Sequence, residues 1–137
     1  MGKYAFVAKA AASKGALFFL PGEYLVEIVA VKEYDGIKGL KFIVEARVLE
    51  SNNPACPADT RTRSWVVDLS RRDMGGPGDV KAFICNMEGI AEEDFEEEMV
   101  DLAVDQEEAP FVGRQARLTV RDPKPGKKFT KHIWSTI

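Results

Sequence analysis

Apolar and polar positions alternate along much of the chain. In residues 40–50 (LKFIVEARVLE), Phe42, Val44, Ala46 and Val48 share one parity, and Lys41, Ile43, Glu45 and Arg47 the other. Successive side chains of a strand point to opposite faces, so this segment reads as a strand with one buried side. Residues 22–34 (GEYLVEIVAVKEY) follow Pro21 and are rich in Val, Ile and Tyr, which predicts a long strand ahead of it. Asp35-Gly36 and Lys38-Gly39 mark a tight connection that makes the two a hairpin. A loop over 51–59, rich in Asn, Pro and Asp, leads to a third strand at 60–69 (TRTRSWVVDL). Residues 114–121 (RQARLTVR) and 129–137 (FTKHIWSTI) read as two more strands, and residues 3–8 are compatible with an additional one.

The period changes between the third and fourth strands. After a glycine-rich loop at 72–78, Asp79 is placed to cap a helix in which Val80, Phe83, Ile84 and Met87 recur at core-facing spacing. Phe95, Met99 and Leu102 then make one apolar stripe through an acidic stretch, which predicts a second helix. Three strands, a helix and two strands are the order of a five-stranded Greek-key barrel of the oligonucleotide-binding (OB) type. The expectation is a mainly β fold of that type. It has a helix between strands 3 and 4 and an added acidic helix over 91–108, all in one domain over 1–137.

Composition changes this picture through charge. The net charge is −3, yet residues 91–108 hold ten Asp and Glu and no Lys or Arg. The remainder carries all 19 basic residues and 12 of the 22 acidic ones, so it is basic. A field polarised in this way attracts a polyanion on one side and repels it on the other. Cys56 and Cys85 have neither zinc nor CxxC spacing, and read as reduced thiols of a cytoplasmic protein. No apolar run is long enough to span a bilayer. The stretch from Tyr4 to Val7, broken by Lys9 and Lys14, is too short for a secretory core, and Phe6 stands where myristoylation needs Ser or Thr.

The segments PGEYLVEIVAVKEYDGIKGLKFIVEARVLESNN, SWVVDL and DVKAFICNMEGI carry a resemblance. They are similar to small bacteriophage proteins taken to be OB-fold single-stranded DNA-binding proteins, over residues 13–90. The resemblance implies DNA binding in phage replication or recombination, in the host cytoplasm. Many such proteins end in an acidic tail with a terminal Phe. This chain ends Trp134-Ser135-Thr136-Ile137, and its acidity is internal.

Binding a single strand needs cations for phosphates and flat side chains for bases. Arg61, Arg63 and Trp65 share one parity of the third strand. A lone buried arginine is costly, so the arginines argue that this face is open, with Trp65 as a stacking platform. The alternative is a core-facing Trp65. The first hairpin offers Tyr34, Lys38 and Lys41, with Lys32 nearby. Arg71 and Arg72 precede the glycine loop, placed to clamp backbone. The turn at 122–128 contributes Lys124, Lys127 and Lys128 between Arg121 and Lys131, as a contact loop or a solvated hairpin tip. Trp134, Phe18 and Phe19 read rather as packing residues.

Nothing in the pattern requires catalysis. His132 has no recognisable Ser or Cys partner, and PGKKFT lacks the spacing of a phosphate-binding loop. A metal-dependent nuclease is the enzymatic alternative, but the acidic cluster has no histidine support. The expected protein is a non-enzyme without cofactor or metal, whose partner is single-stranded DNA, with RNA as the second option. The acidic segment 91–108 reads as a solvated face, as a dock for replication or recombination proteins, or as a gate competing with nucleic acid. A homo-oligomer is compatible with the pattern. The competing class is a structural or protein-interaction barrel working through the acidic helix.

Overall fold

The alternation of 40–50 is realised in β2 (Gly39–Ser51), where Phe42, Val44, Ala46 and Val48 are buried and Lys41, Ile43, Glu45 and Arg47 are half-buried on the other face. In the computed structural model, which describes residues 17–71, 73–122 and 130–137, this strand pairs on one side with β1 (Gly22–Gly36) and on the other with β3 (Thr62–Asp68). β4 (Gln115–Arg121) pairs with the first residues of β1, and β5 (Lys131–Thr136) with β4. All pairs are antiparallel, and the sheet order is β3-β2-β1-β4-β5. The suggested strand at 3–8 lies outside the described residues.

β1 departs from simple alternation. Register shifts at Leu25/Val26 and Ile28/Ala30 interrupt its ladder with β2. Such bulges bend a strand and increase its twist, which lets β1 serve two neighbours in a curled sheet. The second shift also changes parity. Tyr24, Val26 and Ile28 face the core, and beyond the bulge Val31 does. Lys32 and Tyr34 therefore emerge on the outer face, opposite Ile43 and Lys41.

Helix α1 (Gly76–Glu88) sits between β3 and β4 in the chain, as its apolar spacing predicts, with Val80, Phe83, Ile84 and Met87 buried. Its start differs from expectation. Pro77 occupies the first turn, the residue before the helix is Gly75, and Asp79 lies inside the helix with its N–H donating to the Gly75 carbonyl. Proline is suited to the first turn because it has no N–H to leave unpaired. The acidic stretch is only partly helical, as a 3-10 turn Glu92–Asp94 and a short helix α2 (Glu98–Val104). Phe95, Met99, Val100 and Val104 anchor it to the core.

β3 and β5 are the two edges of the sheet, and among the described residues no ladder joins them. Their side chains nevertheless meet. The Trp65 ring lies 5.6 Å from that of Trp134 and stacks on His132 at 5.9 Å. Phe83 of α1 contacts both tryptophans, at 5.6 and 5.3 Å. From the other direction Leu17–Phe19 lies beside β3. The Ser64 N–H donates to the Leu17 carbonyl at 2.8 Å, and Phe19 inserts against Tyr24, His132 and Trp134. The fold is mainly β and barrel-like, with its seam filled by α1 and this segment instead of strand hydrogen bonds.

Candidate nucleic-acid interface

The outer face carries its cations in two groups at opposite ends of β1. The first surrounds the β1–β2 turn. Tyr34, Lys41 and Asp68 form one cross-strand row over β1, β2 and β3. Tyr34 is 60% exposed, Lys38 is exposed at the turn, and Lys41 is half-buried. The Tyr34 ring lies against the backbone of Gly36, where an added Cβ would stand 2.4 Å from it. The turn closes on the loop after β3. Gly39 has φ +101°, and a Cβ there would approach Ser70 Cβ to 2.3 Å. The Leu69 N–H donates to the Leu40 carbonyl at 2.8 Å, which ties down the segment bearing the exposed Arg71. Hydrogen bonds from the Ser70 hydroxyl and N–H hold the Asp68 carboxyl below its ordinary value, and Lys41 and Arg71 add to the effect. Asp68 thus anchors the turn while the two cations project around it.

The second group lies where β1 begins. Arg121 and Lys131 are exposed cross-strand partners on β4 and β5, flanking the loop that holds Lys124, Lys127 and Lys128. Those three lysines and Arg72 lie outside the described residues. Arg117, also exposed on β4, was not singled out from the sequence, although its parity with Arg121 carried the signal. It borders an open depression of about 380 Å³, whose other walls include Glu23, Leu25, Asn52 and Thr119. Between the groups, charge is matched on the outer face. Lys32 pairs with Glu45 at 2.5 Å, and Arg47 pairs with Glu27.

The third strand overturns one expectation. Arg63 and Trp65 do share a face, but it is the inner one, at 5% and 7% exposure. The argument from desolvation required only that a buried arginine have a partner, and it has one. Arg63 Nη1 donates to the Phe18 carbonyl at 2.9 Å, a group supplied by a segment 45 residues earlier. Trp65 is enclosed by Phe42, Phe83, His132 and Trp134 and offers no surface for a base. Arg61 is exposed, but its guanidinium donates to the Asp59 carboxylate through Nε at 3.0 Å and Nη2 at 2.8 Å. That pairing holds Asp59 below its ordinary value. Trp134 is buried, as its reading as a packing residue anticipated.

Other chemistry is sparse. Cys56 and Cys85 are buried free thiols. Among the described residues no cluster of three or more His, Cys, Asp or Glu side chains is placed to hold a metal ion, and no helix is long and apolar enough to cross a membrane. Burial pushes the His132 imidazole down to about 4, against a weaker opposing contact with the Thr130 backbone. The ring is therefore uncharged at neutral pH. Comparison with protein-family models and with curated proteins gave no match.

Proposed function

We propose that this protein binds single-stranded DNA with little sequence preference, without catalysis, on an OB-type barrel. The barrel reading is supported by the strand order, by the helix between β3 and β4, and by the meeting of the two sheet edges at Trp65 and Trp134. The observation that carries the binding reading is the exposed Tyr34 ring, with Lys38, Lys41 and Arg71 around it on one end of the outer face. The cations capture the phosphate backbone and a base then stacks on the phenol ring. Arg117, Arg121 and Lys131 extend the track at the far end of β1. The setting, phage DNA replication or recombination in the host cytoplasm, rests on the sequence resemblance alone.

Both tryptophans are buried, so intrinsic Trp emission is a poor reporter of binding. Anisotropy of a labelled oligo-dT strand is the direct test. Binding is expected at low salt and weakens as salt rises. Tyr34→Ala is expected to lower affinity about 5- to 150-fold, the equivalent of about 1–3 kcal/mol of stacking, with the salt slope retained. Lys38→Gln with Lys41→Gln is expected to flatten the slope by about 0.7 per lost contact. Absence of binding at low salt overturns the proposal, and full affinity in both variants removes this end of the sheet from it.

A further inference from the structure

The acidic segment forms one wall of an apolar groove. Ile84 and Ile90 from α1 and its C-terminal exit, Met99 and Leu102 from α2, and Phe111 line a cleft of about 210 Å³. Leu102 is 47% exposed at its lip, although the rest of the stripe is turned inward. Residues four apart share a helix face, so the exposed Glu98 stands beside Leu102, and the exposed Asp105 follows just past the end of α2. Glu88 closes the rim from α1. A purely solvated face needs carboxylates but has no use for an exposed leucine beside an open apolar cleft. An apolar patch rimmed by charge is characteristic of a docking surface.

The charge selects the occupant. Residues 91–108 carry ten carboxylates and no Lys or Arg, so nucleic acid and anionic lipid are repelled. We infer that this groove docks a cationic amphipathic helix of a partner protein. An apolar side chain of that helix enters beside Leu102, and its Lys or Arg residues meet Glu88 and Glu98. Helix-in-groove recognition uses apolar anchors at helical spacing, with flanking charge setting orientation. The inference is independent of the nucleic-acid reading, because it uses neither the outer sheet face nor its cations.

The test uses the full chain and a labelled synthetic peptide with leucines at i, i+3, i+4 and i+7 and lysines elsewhere. A control of identical composition spreads the leucines around the helix. The patterned peptide is expected to bind at least about tenfold more tightly than the control. The decisive variant is Leu102→Asp, which removes the apolar anchor and adds a negative charge. Being at an exposed position, it leaves the core intact, which circular dichroism and the melting temperature check. Docking in the groove predicts about a tenfold loss or more. Attraction to acidity alone predicts equal or tighter binding, and that result overturns the inference. So does equal affinity for the two peptides. Concentration-dependent self-association of the chain, abolished by Leu102→Asp, also overturns it by making a second copy the occupant. Oligo-dT binding is expected to be unchanged in Leu102→Asp, so failure of either proposal is read separately.

Discussion

His132 illustrates how little a residue's type says about its role. Histidine titrates near neutrality in water, yet here the ring is stacked on Trp65 and touches Phe19. Burial lowers its pKa from 6.5 to about 4, so the native state holds it neutral where the unfolded chain protonates it. The unfolded state therefore binds more protons between these values. Stability from this group is complete above about pH 6.5, is lost as pH falls towards 4, and amounts to at most about 3 kcal/mol. Denaturant melts across that range are expected to show falling stability in the natural protein and a shallower fall in His132→Phe. Parallel curves would mean the ring is not held neutral. Arg63 makes the same point while keeping its charge. Its acceptor is a main-chain carbonyl, which no side-chain pattern announces.

At the scale of elements, the β1–β2 hairpin joins stability to the candidate site. Its turn needs a residue without a side chain at Gly39, both for its φ of +101° and for the close approach of Ser70. Gly39→Ala is expected to cost about 1–3 kcal/mol in chemical denaturation. It is also expected to weaken oligo-dT binding, because the turn and the Arg71 loop are then pushed apart. Unchanged stability would show that the turn relaxes freely. The bulge at Ile28/Ala30 matters equally. Uninterrupted alternation from Tyr24 would turn Lys32 and Tyr34 inward, and the extra residue brings them out. The alternation from Phe42 to Val48 was legible because the extra residue of β2, Leu49, comes only after it. The far end of β1 was not, because a one-residue shift leaves no compositional mark.

The molecule as a whole depends on how its two sheet edges are brought together. With no ladder between β3 and β5 among the described residues, the two edges meet through aromatic packing and Leu17–Phe19. Phe19→Ala is expected to cost about 3–5 kcal/mol in equilibrium unfolding, as large as any single core truncation. It should also raise exchange of the Ser64 amide, which donates to the Leu17 carbonyl. A cost near zero would show that the two edges pack together without this plug.

Period, turn residues and charge blocks were enough to read five strands, a helix between the third and fourth, a core face on β2, and an acidic surface apart from a basic remainder. These are local properties, set by which side chains alternate and where glycine and proline fall. Three things were decided only by the tertiary structure. Trp65 and Arg63 went inside, because α1 and Phe18 supplied neighbours distant in sequence. The cations were divided between the two ends of β1, because register, not proximity in the chain, determines which residues meet. Leu102 was left at the lip of the groove, because α2 turns Met99, Val100, Ala103 and Val104 to the core and Leu102 falls on the flank of that face.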